Sequence, residues 1–171
     1  MGLTLLPPDV NESFSEFAVV PDTTNIRFGL AAIKNVGSGP IAAIVAARTE
    51  GGPFTSIEDF AKRVDASQVN RKALESLTRA GAFDSMGDRD VILANVDKVS
   101  AYATRSQKNA LSGQIDIFGS IGMQQEMPPL QLDIPREKPD LRQHLMWEKE
   151  LLGLYISSHP LDEYDNYLYD Q

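Results

Sequence analysis

Cysteine is absent from the 171 residues of this chain. Its absence excludes disulfides, thiolate nucleophiles and cysteine-ligated zinc. Histidine is scarce, since His144 and His159 are the only two, and neither stands in a cluster of acidic residues. A histidine-based metal site or a histidine-activated nucleophile therefore has little to draw on. We predict no metal, no cofactor and no catalytic residue.

Long apolar runs are also missing. No stretch approaches the roughly 20 apolar residues that a membrane helix requires, and the N-terminus lacks the charged and apolar regions of a signal peptide. Hydrophobic residues make up 42% of the chain and charged residues 23%, as in ordinary globular domains. We therefore expect a cytoplasmic protein with no membrane partner.

Basic residues are fewer than acidic ones, 16 against 24, so the net charge is −8. This value argues against nucleic acid as a partner, but the charge is unevenly distributed. Residues 25–80 carry eight basic and five acidic side chains, whereas residues 113–171 carry four basic and eleven acidic ones. A basic segment with an acidic C-terminal region leaves nucleic-acid binding open for the first part of the chain.

Local patterns predict a mainly α fold with a small N-terminal β-hairpin and an extended C-terminal tail. The hairpin is expected at residues 14–20 and 26–28, around a polar turn. Helical spacing and cap signals predict five or six helices, at residues 29–34, 40–50, 56–64, 70–80, 88–108 and 140–152. Ser56 with Asp59 resembles a capping box, and Asp88 is a predicted N-cap.

Four segments follow from these patterns. Residues 1–13 are predicted to be an extended arm, and residues 14–108 the folded module. Residues 109–139 are rich in Gly, Pro and Gln without sustained periodicity, which is typical of a linker. Residues 140–171 are expected to form a last helix and a junction to a following domain.

Residues 30–44 have the form of a helix-hairpin-helix. Gly37 and Gly39 precede the second helix, so its backbone N–H groups could approach a phosphate directly, aided by the positive helix end. Lys34 and Arg48 would add charge. Such a contact reads no base and predicts non-specific duplex binding that weakens with salt. The alternative is that the glycines only form a compact turn between packed helices.

Residues 70–88 form a degenerate second copy that lacks the glycine pair. Phe83 in its turn is predicted to anchor the core. The basic residues nearby could follow a phosphate backbone or form a solvated helical face; they are Arg63, Arg71, Lys72 and Arg79.

Several motifs occur in an order and spacing that resemble the bacterial DNA polymerase III alpha subunit family across nearly the whole chain. They are residues 6–13, 26–30, 51–54, 58–60, 80–84, 152–155 and 159–161. The resemblance implies the helix-hairpin-helix duplex-binding part of a DNA-directed DNA polymerase, with the catalytic carboxylates upstream of this chain. The family's hairpin usually begins Gly-Val-Gly; here Asn35 replaces the first glycine. Asparagine tolerates the left-handed region, so the turn is expected to survive.

The resemblance also gives meaning to the linker. Residues Gln114, Ile115, Asp116, Ile117 and Phe118 look like the family's internal sliding-clamp-binding motif. Ile117 and Phe118 would enter apolar pockets while the Gln114 amide bonds at the rim. The family more often has Leu or Met at the position of Ile117.

We therefore predict a non-catalytic region that binds duplex DNA and the sliding clamp (the polymerase III beta subunit), alongside other replisome subunits. The predicted DNA-binding residues are Lys34, Asn35, Val36, Gly37, Ser38, Gly39, Arg48, Arg71 and Lys72. The alternative is a protein-docking module that contacts the clamp or other subunits without touching DNA; the acidic C-terminal region favours it.

Overall fold

A computed structural model describes the backbone of residues 4–115 and 128–153, and the side chains of residues 4–109 and 128–153. The mainly α fold with a small N-terminal sheet is confirmed. The described part contains six α-helices: α1 Ser38–Gly51, α2 Ile57–Arg63, α3 Arg71–Arg79, α4 Arg89–Ala94, α5 Val96–Ile115 and α6 Leu141–Leu152. A single 3-10 turn, Leu30–Ala32, precedes α1.

The sheet has three short strands in the order β1-β3-β2, namely β1 Thr4–Leu6, β2 Ala18–Val19 and β3 Asn25–Arg27. The antiparallel β2–β3 pair is the predicted hairpin. β1 pairs in parallel with β3, which the sequence did not indicate. Residues 4–13 are thus part of the folded module and not an arm outside it; Val10 is completely buried.

Helix boundaries follow local signals. Side chains of Ser56, Asn70, Asp88 and Asp140 each accept a hydrogen bond from a backbone N–H in the first turn of the helix that follows. The predicted caps Ser56 and Asp88 are therefore confirmed. Asp59 completes only half of a capping box, since its carboxylate bonds the N–H of Thr55 and not that of the cap residue.

The core is built around a row of phenylalanines. Phe60 meets Phe54 and Phe83 edge to face, with ring centroids 5.0 and 4.8 Å apart. Phe83 is 1% exposed, so its predicted role as a core anchor is confirmed. The row joins the loop before α2, α2 itself and the turn after α3. These packed rings fix the position of α2 relative to the turn of the second hairpin.

The predicted helix at 88–108 is two helices that meet at Asn95. The buried Asn95 side chain donates to the carbonyl oxygens of Val91 and Asp133, at 2.7 and 2.8 Å, and accepts from the N–H of Asp133 at 2.9 Å. The break therefore depends on a contact 38 residues away along the chain. Helix α5 then continues to Ile115, beyond the predicted start of the linker at residue 109.

The C-terminal part docks on the module. Leu130 and Leu132 pack against the core, and Leu145, Leu151 and Leu152 of α6 are buried. Three consecutive residues at the start of α4 bond this part: Asp88 pairs with Lys138 at 2.7 Å, Arg89 lies 3.9 Å from Glu148, and Asp90 bonds His144 at 2.6 Å. The final helix is thus held at the side of the second hairpin.

Candidate nucleic-acid interface

The turn of the first hairpin is formed by residues 33–37. Asn35 has φ +69°, so the prediction that asparagine adopts the left-handed conformation here is confirmed. Val36 is 7% exposed and its N–H donates to the carbonyl of Ile33 at 3.3 Å. The N–H of Lys34 donates to the carbonyl of Leu151 at the end of α6, at 2.9 Å. The turn is therefore fixed from inside by Val36 and from outside by α6.

Helix α1 begins without a side-chain cap. Its N-cap residue is Gly37, in extended conformation, and no side chain accepts a hydrogen bond from the first turn. Gly37 and Ser38 are exposed. Four other helices of the described part, α2, α3, α4 and α6, are capped by a side-chain oxygen. The open N–H groups and the positive helix end make this position suited to an anion.

The two hairpin glycines provide space and not unusual torsion angles. Gly37 has φ −83°, and only Gly52, Gly81 and Gly153 among the described glycines have positive φ. A side chain at Gly39 would come within 2.7 Å of the Gln68 amide oxygen. The loop before α3 therefore lies against the N-terminal end of α1.

The basic side chains predicted to contact DNA differ in their surroundings. Lys34, beside the turn, is exposed and has no ion pair within the part of the chain described. Arg48 lies near the other end of α1 and donates to the carbonyls of Val10 and Ser13, at 2.9 and 2.8 Å. Burial lowers the pKa of Arg48, against the opposing influence of Asp9. Arg48 thus holds the N-terminal segment, and the structure does not bring it to the hairpin turn.

The basic residues at the start of α3 also differ in whether they form ion pairs. The guanidinium of Arg71 bonds Asp97 and lies 3.3 Å from Glu75, and the hydrogen bond to Asp97 raises the pKa of Arg71. Lys72 is exposed and forms no ion pair with any described residue. Lys72 stands four residues after Gln68, whose side chain lies against Gly39.

Two further arginines of the sequence-predicted basic set have structural roles. Arg63 donates to the carbonyls of Ala47 and Gly52, at 2.8 and 2.7 Å, and so ties α2 to the end of α1. Arg79 pairs with Glu75 at 2.7 Å and lies over the ring of Trp147. Neither guanidinium is free to follow a phosphate backbone.

The second hairpin differs chemically from the first. The start of α4 is capped by the Asp88 carboxylate, which accepts from the N–H groups of Asp90 and Val91, at 2.9 and 3.4 Å. Arg89 is nearly buried and bonds Asp84 at 2.7 Å. A carboxylate already occupies the place where a phosphate would bind, so this hairpin serves to dock α6.

The predicted clamp-binding residues fall at the edge of the described chain. Gln114 and Ile115 are the last two residues of α5, in helical and not extended backbone. Asp116, Ile117 and Phe118 lie outside the described residues. The description resumes at Pro128, where Leu130 N–H donates to the Glu58 carboxylate at 3.3 Å.

No group of three or more His, Asp or Glu side chains among the described residues is arranged to hold a metal ion. No helix among residues 4–115 and 128–153 is long and apolar enough to cross a membrane.

Comparison with known proteins agrees with this geometry. The family model for the helix-hairpin-helix motif matches residues 2–91. DNA polymerase III subunit alpha of Thermus aquaticus is 42% identical over 164 residues, and that of Vibrio cholerae 40% over 166. The Pseudomonas aeruginosa subunit is 37% identical over 181 residues. Each alignment covers 96% of this chain but only 13–15% of the relative.

Proposed function

Because this chain belongs to the helix-hairpin-helix family and is homologous along 96% of its length to DNA polymerase III subunit alpha, we propose that it is the part of a replicative polymerase that holds duplex DNA and tethers the enzyme to a sliding clamp. The chain spans about one seventh of the length of those relatives. Polymerisation would belong to the remainder of such a protein, and in this proposal the region itself is non-catalytic and cytoplasmic.

The observation that carries the DNA-binding proposal is the uncapped start of α1. Gly37 and Ser38 are exposed, the start of the helix has no side-chain cap, and Lys34 in the same turn has no described acidic partner. A DNA phosphate would supply the missing acceptor and neutralise Lys34 in one contact. No base edge is involved, so binding would be independent of sequence and would weaken steeply with salt.

The hairpin contact is tested by replacing Gly37 with aspartate. Asp is a favoured N-cap residue, and the extended backbone at Gly37 accepts it without strain. Gly37→Asp should therefore keep or raise the stability of α1, while its carboxylate occupies the phosphate position. We expect fluorescence anisotropy with a short labelled duplex to show a loss of affinity of at least about tenfold, since charged hydrogen bonds contribute about 1.5–3 kcal/mol.

A charge-matched pair of variants controls for net charge. Lys34→Glu should weaken duplex binding strongly. Arg142→Glu makes the same charge change on an exposed residue of α6, about 14 Å along that helix from Leu151, and should have little effect. Equal losses in the two variants would show that only net charge matters, and would contradict the hairpin contact.

The clamp tether rests on Gln114–Phe118 and on its position between two docked elements. Helix α5 ends at Ile115, and the chain is attached to the module again from Leu130. In sequence, the motif therefore lies between two parts of the chain that both contact the module. Binding DNA and clamp through one module raises the effective concentration of each for the other, which is the physical basis of processivity.

Calorimetry with a bacterial sliding clamp tests the tether. Phe118→Ala should abolish the heat of binding, whereas Ile121→Ala in the same segment should preserve it. Clamp binding should also survive Lys34→Glu and depend little on salt. Unchanged binding by Phe118→Ala would remove the pentapeptide from the proposal.

A second candidate function is protein docking alone. The net charge of −7 over residues 113–171 favours it, because this region repels DNA phosphates. Under this alternative the unaltered chain binds the clamp and shows no affinity for duplex DNA at about 50 mM salt, where electrostatic binding is strong.

A further inference from the structure

Most cations of this protein are already engaged. Among the described residues, at least eight of the sixteen Lys and Arg side chains form ion pairs with acids, and Arg48 and Lys149 bond backbone carbonyls. Six have no such bond within the part of the chain described; they are Lys34, Lys72, Arg105, Lys108, Arg136 and Arg142. Two of these six, Arg105 and Lys108, lie on α5 and have no role in the hairpin contact.

The direction of α5 places this pair at the hairpin end of the bundle. Tyr102 Oη donates to the Glu58 carboxylate at 3.0 Å, and Gln107 Nε2 donates to the Val64 carbonyl at 2.7 Å. Helix α5 therefore runs parallel to α2. Gln107 also accepts from the N–H of Ala66 at 3.0 Å, so it holds the start of the loop that leads to α3 against α5.

That same loop reaches the first hairpin. Gln68 lies two residues beyond Ala66, at most about 7 Å along the chain, and its side chain lies against Gly39. The start of α1, the loop and the Gln107 turn of α5 therefore share one end of the molecule. Beyond Gln107, α5 continues for eight residues to Ile115, about 12 Å further.

All the charged residues of α5 from residue 98 to its described end are basic. Residues 98–115 contain Lys98, Arg105 and Lys108 and no acid, in a chain whose net charge is −8. Lys98 is paired with Asp133. Arg105 and Lys108 are exposed and three residues apart, so they are neighbours on the helix surface. Both precede the last turn, outside the reach of the helix dipole.

We propose that Arg105 and Lys108 form a second contact with the DNA backbone, next to the phosphate held at the start of α1. This inference rests on the proposed function, and it extends the site from the hairpin onto α5. Two contacts on different elements fix the direction of the duplex as well as its position. The same helix leads directly into Gln114, so the DNA and the clamp tether would lie at one end of the module.

The test compares salt dependence in the full chain. Duplex affinity is measured by anisotropy from about 50 to 200 mM salt for the unaltered chain and for Arg105→Gln with Lys108→Gln. Each lost phosphate contact lowers the slope of log Kd against log salt by about 0.9. The double variant should lose about 1.8, so the rise in Kd over this range shrinks about twelvefold. Glutamine keeps the helix propensity of both positions.

Arg136→Gln with Arg142→Gln is the matched control. It removes two exposed arginines of residues 128–153 that form no ion pair with a described residue. Its slope should equal that of the unaltered chain. An unchanged slope in the α5 variant, or an equal loss in the control, overturns the inference. If Gly37→Asp loses affinity and the α5 slope is unchanged, only the inference fails; if the unaltered chain binds no duplex, the proposed function fails with it.

Discussion

The side-chain amide of Asn95 forms two hydrogen bonds with the backbone of Asp133, as a paired β-strand would. It donates to the Asp133 carbonyl and accepts from the Asp133 N–H. Asn11 does the same for Phe54, at 3.0 and 2.7 Å. One asparagine thus holds the N-terminal segment and the other holds the C-terminal one. Both attachments are specific because each amide satisfies a donor and an acceptor at once.

We predict that Asn95→Ala lowers the free energy of unfolding by about 1–3 kcal/mol, since three hydrogen bonds are lost. Urea denaturation measures the loss, and faster hydrogen exchange at the Asp133 N–H locates it. Asn109→Ala, at an exposed position of α5, is the control and should be nearly neutral. Because alanine has a higher helix propensity than asparagine, a loss in Asn95→Ala no larger than that in the control would contradict the role of the amide pair.

The cap residue Asp88 should make stability depend on acid. Its hydrogen bond to Lys138, followed by those from the N–H groups of α4, lowers the pKa of Asp88. Because the folded pKa lies below the unfolded value of about 3.9, the stabilisation is complete above that pH and is lost as pH falls below it. Asp88→Asn keeps the cap but loses the charge, so its melting temperature should fall less steeply between pH 4 and pH 2. Lys138→Gln should shift the curve in the same direction; an unchanged acid dependence in both variants would contradict this assignment.

The nearly buried Arg89 should be costly to remove. It bonds Asp84 and lies 3.9 Å from the Glu148 carboxylate, which is 1% exposed. Arg89→Leu removes the cation that lies beside both carboxylates, and breaking a buried ion pair in this way costs about 3–5 kcal/mol. Chemical denaturation should show that loss, together with weaker protection of α6 in hydrogen exchange. Arg136→Leu, on an exposed arginine, should change stability by less than about 0.5 kcal/mol.

The left-handed Asn35 gives a prediction for the hairpin turn. Asn35→Gly should preserve stability and duplex binding, because glycine adopts φ +69° freely. Asn35→Val should lose about 1–2 kcal/mol or more, since the left-handed conformation is strained for other residues. Equilibrium unfolding and anisotropy are measured on both variants. Tolerance of valine would mean that the turn has another available conformation.

Gly29 and Gly39 should respond differently to alanine. A Cβ at Gly29 would lie 2.6 Å from backbone atoms of Ser15 and Glu16, and such overpacking costs about 1–3 kcal/mol. A Cβ at Gly39 meets only the end of the Gln68 side chain, which is exposed and can move. Thermal unfolding should therefore separate the two variants, with Gly39→Ala close to the unaltered chain. Similar losses in both would contradict this account of Gly29.

The sequence predicts those parts of the fold that depend on neighbouring residues. The caps Ser56 and Asp88 precede the first apolar residue of their helices by one and three residues, and the Asn35 turn is specified by local torsion preferences. The helix start at Gly37 belongs to the same class, because one segment contains both the turn and the first residues of α1; the phosphate contact there stays a prediction.

Features that depend on distant contacts escaped prediction. Nothing in residues 4–6 shows that they pair in parallel with β3, and the helix pattern of residues 88–108 does not reveal the break at Asn95. Arg48 has the spacing of an exposed cation, yet it bonds backbone carbonyls of residues 10 and 13. The proposed contact of Arg105 and Lys108 also has no signal in the sequence, since only the contacts of Gln107 and Gln68 show that this part of α5 lies at the same end of the molecule as the first hairpin.

The hydrogen bond from the Lys34 N–H to the Leu151 carbonyl joins two residues that the ribosome adds at different times. Its partners are separated by 117 positions, from 34 to 151, so at about 5–20 residues per second the second arrives roughly 6–23 s after the first. Helices α1 to α5 are translated within that interval, and the core row of phenylalanines is complete before α6 exists. The hairpin turn therefore receives its outer support last, after the rest of the module has been synthesised.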